Sequence, residues 1–305
     1  MKVSLAAVLF PEAAAQWLET RKAYLSDVTY RDYSIYVKTL GAHFGPLRLP
    51  EVTGDDIRAY QKMRMLKVGA SQINKECSVL QQMLKRAGLW TQLAPDYQPL
   101  PLPKGERGRA LSDSEYLRLF RTAQANPNWE AAYLFAVISV NTSAGPKETR
   151  TLRLKDVDLA GRTIYIHEGK NQYRVRQIPL NQEAYQATCR ALERARCLGA
   201  RLPEDYLFPF CVKRNCWDPA RSQTTFRKAW REIVAAAELP GFRMYDLRHT
   251  AITNILQSPE VSEETAKSIA GHISVRMLQH YSHVRLEAKR KAVEAIRWKS
   301  PAKRA

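Results

Sequence analysis

The chain has 305 residues, 45% hydrophobic and 26% charged, which is an ordinary globular composition with room for two domains. Its 48 lysines and arginines outweigh 30 acidic residues, and a net charge of +18 favours an anionic partner such as nucleic acid over an anionic membrane surface or no partner. No stretch approaches the ~20 apolar residues of a membrane span.

The cysteines argue against two kinds of site. No C-x-x-C pair and no nearby histidine cluster accompany them, so neither a zinc site nor a disulfide framework is predicted. Residues 1–10 run into a helical pattern without a clear cleavage site. We therefore expect a soluble cytoplasmic protein with reduced thiols. The five are Cys77, Cys189, Cys197, Cys211 and Cys216.

The first hundred residues predict four helices. Apolar residues recur at helical spacing, Pro11 suits a first turn, and Ser71 is the predicted N-cap of the fourth helix. Helices of this length can pack as a small bundle, so residues 1–94 are predicted to form one helical domain. The helical segments are 11–25, 29–45, 53–66 and 71–88.

A linker is predicted next, at residues 95–107, because four prolines and mixed charges form no regular element there. Order restarts at Ser112, which forms a capping box with Glu115. A second domain is therefore predicted at 108–298, followed by a basic tail at 299–305.

The second domain reads as mainly helical with one small antiparallel sheet. Its hairpin lies between Gly161 and Leu180, with a polar turn at 170–172. The predicted fold class is mainly α with a small antiparallel β-sheet: a helical N-terminal domain and an α+β C-terminal domain. Its predicted helices are 131–140, 182–199, 222–239 and one from Leu247 onward.

Two stretches near the C-terminus carry the strongest chemical signal. The first is Y-D-L-R-H-T at 245–250; the second is A-G-H at 270–272, followed by Y-S-H at 281–283. Each alone has an ordinary structural explanation, such as a surface ion pair or a packed aromatic ring. Together, in this order and spacing, they resemble the tyrosine recombinase (phage integrase) family, and the resemblance covers nearly the whole chain.

The resemblance implies roles for five residues. Tyr281 would attack a DNA phosphodiester and form a 3′-phosphotyrosyl link, Arg248 would clamp the phosphate, and His272 would hydrogen-bond it. Lys170, at the hairpin turn, would be the general acid. Tyr245 replaces a residue that is often histidine. A phenol is a weak nucleophile and needs fixed cationic donors around the phosphate, for which the planar arginine fork is well suited. Neither ATP, metal nor another cofactor is implied.

Besides Tyr245, a second position departs from the family pattern, and this departure is the more serious one. The first family motif is T-G-L-R-x-x-E-x-x-x-L, and aligning it on Glu148, Leu152 and Asp156 places Gly145 where the first catalytic arginine belongs. Losing one preorganised donor costs ~10²–10³ in rate. Lys147 does not share the helical face of residue 145.

Arg150 does not share the helical face of residue 145 either. A glycine–proline pair could instead expose backbone N–H groups as an anion-binding nest. On that hypothesis Gly145→Arg would add little activity.

The leading prediction is a site-specific recombinase acting on double-stranded DNA as a homotetramer. A catalytically weakened, DNA-binding accessory protein is the alternative that Gly145 favours, and a type IB topoisomerase is a third. A C-terminal apolar segment could dock onto a neighbouring subunit or pack within its own. Its residues are Ala292, Val293, Ile296 and Trp298.

Overall fold

The computed structural model describes residues 5–102, 108–167, 175–258, 261–271 and 293–294. The chain divides into two compact units, Met1–Gly105 and Glu106–Ala305. No helix in these described ranges is long and apolar enough to cross a membrane. The fold class is the predicted one: mostly helical, with small antiparallel sheets.

The described part of the N-terminal unit contains five helices. Ser26 caps the second, and Thr53 forms a capping box with Asp56 at the start of the third. The core contains aromatic rings, and those of Phe10 and Phe44 stack with their centroids 5.5 Å apart. The helices are α1 (Phe10–Lys22), α2 (Asp27–Phe44), α3 (Gly54–Met65), α4 (Ala70–Arg86) and α5 (Trp90–Leu93), with 3₁₀ turns at Leu49–Glu51 and Ala94–Asp96.

The predicted start of α4 is wrong by two residues. Gly69, in extended backbone, is the N-cap, so Ser71 lies inside the first turn and caps nothing. The apolar residues at helical spacing on this helix are buried, Ile73, Leu80 and Leu84 among them.

The proline-rich stretch after α5 is held on its own unit. Tyr97–Leu102 contains no regular element, as predicted. The Asn74 side chain nevertheless makes two hydrogen bonds to the Leu100 backbone, at 2.8 and 2.9 Å, and Gln61 donates to the Gln98 carbonyl. The first part of the predicted linker is therefore held against α3 and α4 by side-chain hydrogen bonds.

The C-terminal unit is built around α7 (Glu130–Thr142), which is apolar on all sides and buried. The predicted capping box of Ser112 and Glu115 begins α6. The other helices are α6 (Asp113–Ala125), α8 (Pro146–Arg150), α9 (Gln182–Cys197), α10 (Arg227–Ala236), α11 (Asp246–Gln257) and α12 (Glu263–Ala270), with 3₁₀ turns at Pro127–Trp129 and Leu154–Asp156.

A three-stranded antiparallel sheet contains the predicted hairpin. It consists of β1 (Val157–Asp158), β2 (Thr163–Ile166) and β3 (Arg176–Pro179), in that spatial order. Ile164 pairs with Ile178, and both are buried in the core. The hairpin turn, 168–174, lies outside the described residues.

A second sheet was not predicted. Strands β4 (Pro209–Lys213) and β5 (Cys216–Ser222) form a ribbon in which every residue except the buried Pro209 is half-buried or exposed. No alternation of buried and exposed residues marks it, so the pattern that indicates a strand is missing. Because Ser222 belongs to β5, the helix predicted at 222–239 is shorter and begins at Arg227.

Candidate active site

The turn between α7 and α8 places a glutamate inside the unit. Ser143 ends α7 in the left-handed region, with φ 55°, and Gly145 caps α8, with Pro146 in the first turn. The Gly145 N–H donates to Glu148 Oε2 at 2.8 Å. This bond draws the Glu148 side chain back over the start of its own helix, where it is 5% exposed.

Gly145 itself is the position where the sequence analysis expected the family's first arginine. Its N–H is taken by Glu148 and Pro146 has no N–H, so this pair does not present the predicted anion-binding nest. A Cβ added at Gly145 would lie 3.6 Å from Glu148 Oε2, an ordinary contact. A larger side chain could therefore start from this position.

Two arginines from distant elements meet Glu148. Arg176, on β3, donates from both terminal nitrogens to the carboxylate, at 3.0 and 3.4 Å. Arg248, on α11, places Nη1 3.8 Å from Oε2. We call these three residues, Glu148, Arg176 and Arg248, the arginine–glutamate cluster. All three side chains are at least 94% buried.

The carboxylate of Glu148 stays ionised in this setting. Burial by itself would raise its pKa, but hydrogen bonds from Arg176 and from the Gly145 N–H, with the charges of both arginines, lower the pKa below its ordinary value.

Both arginines also hold the end of α12. Arg176 Nε donates to the Ile269 carbonyl at 2.8 Å, and Arg248 Nη2 donates to the Ala270 carbonyl at 2.6 Å. These carbonyls are ones that a helix end leaves without intrahelical partners, and cations are favoured there. Arg248 Nη1 further donates to the Ser143 carbonyl at 2.5 Å. The guanidinium groups are thus fixed in place.

Gly271, which follows α12, is required by this arrangement. Its φ is +78°, which favours glycine, and a Cβ there would lie 3.1 Å from Arg176 Nη1. The cluster therefore packs directly against the residue that precedes His272.

Tyr245 lies at the N-terminus of α11 and is 46% exposed. Its ring meets His249 edge-on at 5.5 Å. On the same turn, Arg243 pairs with the buried Asp246 carboxylate at 2.8 Å.

Beside Tyr245 opens a cleft of about 1040 Å³, which we call the α10 cleft. Its floor is aromatic and aliphatic, with Trp230 and Phe242 among the lining residues. Its basic rim is exposed and faces one acidic lining residue, Glu238. The rim residues are Lys147, Arg227, Arg231 and Arg243. Arg150 also lines the cleft, and it donates to the carbonyls of Gln223 and Thr224.

The other predicted site residues, Lys170, His272 and Tyr281, lie outside the described residues, as do Ala292, Ile296 and Trp298. Of the C-terminal apolar segment, Val293 is described and is 66% exposed. The described residues hold no group of three or more metal-ligating side chains.

Sequence reasoning used Glu148 only to align a motif and assigned no role to Arg176. The structure joins both to Arg248, although Arg176 lies 28 residues from Glu148.

Comparisons with known proteins agree with this fold. Residues 109–287 match the family model described as the phage integrase family. The shufflon-specific DNA recombinase of Escherichia coli is 23% identical over 267 residues, 81% of this chain. That match spans 64% of the relative, less than two thirds of its length.

Two solved structures share the fold. A fragment of the Tn1549 transposon integrase, in complex with circular intermediate DNA, has a TM-score of 0.76 at 19% identity and covers 94% of this chain and 99% of its own. A lambda integrase tetramer bound to a Holliday junction has a TM-score of 0.61 at 16% identity, covering 88% of this chain and 79% of its own.

Proposed function

Since the chain belongs to the phage integrase family, we propose that it is a site-specific DNA recombinase that cleaves and rejoins duplex DNA through a 3′-phosphotyrosyl intermediate. The observation that carries this proposal is the buried Arg248. Its guanidinium is preorganised by two backbone carbonyls and by Glu148, and it belongs to the family's Y-D-L-R-H-T stretch. Fixed donors of this kind stabilise the charge that develops on a phosphate in the transition state.

In the proposed reaction, the Tyr281 phenol releases its proton to solvent as its oxygen attacks the scissile phosphorus. The new O–P bond replaces the bond to the 5′ oxygen, which leaves with a proton from Lys170. Arg248 and His272 stabilise the non-bridging oxygens, and Tyr245 hydrogen-bonds the same phosphate. Attack by the 5′ hydroxyl reverses the step and rejoins a strand, so the bond energy is conserved and no nucleotide is consumed.

Duplex DNA is the proposed partner, and we place part of its backbone along the α10 cleft. The exposed cations on that rim, Lys147 and Arg227 among them, suit phosphate contacts. A homotetramer on DNA is proposed as well, supported by the tetrameric state of the solved lambda integrase.

Lys147→Ala and Arg227→Ala are each expected to weaken DNA binding on all sequences alike, because phosphate contacts carry no sequence information. Each lost contact should reduce the slope of log affinity against log salt by about 1. Binding titrations between low and moderate salt measure this. Arg190→Ala is the matched control, since Arg190 is ion-paired with Glu130 on another face. A slope that both cleft variants leave unchanged would remove this surface from the interface.

Gly145 supports one alternative, a family member that binds DNA site-specifically with little catalysis and serves as an accessory or regulatory protein. It differs from the leading proposal in a single measurable property, covalent attachment to DNA.

A nicked suicide substrate separates the two proposals. Cleavage releases a short fragment that diffuses away, which traps the covalent intermediate. The wild type is expected to form an adduct stable in SDS, and Tyr281→Phe is expected to form none while binding the same DNA. If the wild type binds its site but forms no adduct, the recombinase proposal fails and the accessory protein is favoured.

A further inference from the structure

The arginine–glutamate cluster has two positive charges and one negative charge. Glu148 is ion-paired with Arg176 at 3.0 Å and with Arg248 at 3.8 Å. Arg176 also makes the shorter, two-nitrogen contact. Of the two arginines, Arg176 therefore contributes more to neutralising Glu148, and the cluster of three residues keeps a net charge of +1.

Without Arg176, the net charge of the cluster would change. Glu148 would be left with Arg248 as its cation within the cluster, and the two charges would cancel. Because both groups are buried, water would screen little of that cancellation. The field of Arg248 at a phosphate would then be weakened by the carboxylate beside it.

The glycine at residue 145 makes the charge balance between Arg176, Glu148 and Arg248 important for the site. An arginine at residue 145 would add a further positive charge, and its Cβ would start 3.6 Å from Glu148 Oε2. In this chain that charge is absent. Within the arginine–glutamate cluster, the net positive charge therefore depends on how completely Arg176 neutralises Glu148.

We propose that Arg176 compensates for the missing arginine at residue 145: by neutralising Glu148, it leaves the charge of Arg248 available to the scissile phosphate. Arg176 is then a positioning residue that acts through Glu148 and Arg248. The proposal rests on the recombinase function proposed above and goes beyond it by explaining how the site works with glycine at 145.

A double-mutant cycle tests the compensation. Arg176→Gln keeps a polar side chain of similar reach but loses the charge, and is expected to lower the single-turnover cleavage rate of the suicide substrate by ~10²-fold. Gly145→Arg alone should raise the rate by no more than a few-fold. Added to Arg176→Gln, it should restore the rate by at least ~10-fold. A purely structural role for Arg176 predicts no such rescue.

Two further variants guard against misfolding. Arg176→Lys keeps the charge without the planar fork, so it should cleave at least ~10-fold faster than Arg176→Gln. Arg190→Gln removes an exposed, ion-paired arginine and should cleave like the wild type. If the lysine and glutamine variants lose activity equally, or if Gly145→Arg gives no rescue, the compensation proposal is overturned.

Orthovanadate, a phosphate mimic, gives a readout that does not need cleavage. In the full-length protein it should raise the Tm of the wild type and of Arg176→Lys, and much less that of Arg176→Gln. Should the wild type form no adduct yet show this pattern, the recombinase proposal fails while the charge role of Arg176 stands. Equal Tm increases in the wild type and Arg176→Gln would overturn the charge role even if adducts form.

Discussion

Replacing Arg248 with alanine is expected to lower the rate of DNA cleavage by about 10³-fold and the free energy of unfolding by about 3–5 kcal/mol. The loss in rate follows from removing a fixed donor to the phosphate. The loss in stability follows from what remains: the carbonyls of Ser143 and Ala270 lose a charged donor, and Glu148 loses a neighbouring cation.

Single-turnover cleavage and denaturant unfolding measure the two effects separately. Arg248→Lys keeps the charge but lacks the planar guanidinium that reaches both carbonyls at once. Its cleavage rate should therefore fall between those of the wild type and the alanine variant. Arg190→Ala, whose ion pair is exposed, should change the free energy of unfolding by less than about 1 kcal/mol. A stable, fully active Arg248→Ala protein would remove this residue from the site.

Glu148→Gln is expected to lower the free energy of unfolding at neutral pH by about 3 kcal/mol, because two buried guanidinium groups lose their shared negative charge. The amide keeps one acceptor oxygen but cannot neutralise either arginine. Thermal and denaturant unfolding of the two proteins give the difference directly.

The pH dependence of that difference follows from the lowered pKa of Glu148. A carboxyl whose pKa is lower in the folded than in the unfolded state binds protons more readily when unfolded. Its contribution to stability is complete above the unfolded pKa of about 4.3 and is lost as the pH falls through the folded value. The gap between wild type and Glu148→Gln should therefore narrow in acid. A gap that stays constant from neutral pH into acid would mean that ionisation of Glu148 does not stabilise the fold.

Local rules predicted the elements whose causes are local. Ser112 and Glu115 are three residues apart and form their capping box as expected. The apolar spacing on α4 indicated its buried face, with an error of two residues at its start. The ribbon of β4 and β5 was missed because its exposed residues give no alternating pattern.

The candidate site was predicted less completely. The motif at 245–250 named Arg248 as a candidate, and the alignment named Gly145 as a departure; the functional roles of both remain predictions. The hypothesis of a free N–H at Gly145 did not hold, because a carboxylate three residues later takes that bond. The roles of Tyr281, His272 and Lys170 remain predictions.

The sequence by itself determined the order of the reactive residue types, the family motifs and the positions of most helices, since these depend on neighbours within a few residues. Only the tertiary structure decided that Glu148 lies between Arg176 and Arg248. The partners of this cluster are far apart in the chain, with 28 residues between Glu148 and Arg176 and 105 between Ser143 and Arg248. A buried charge needs an opposite charge or a dipole nearby, and folding can bring that partner from a distant part of the chain. No local sequence pattern indicates which residue the partner will be.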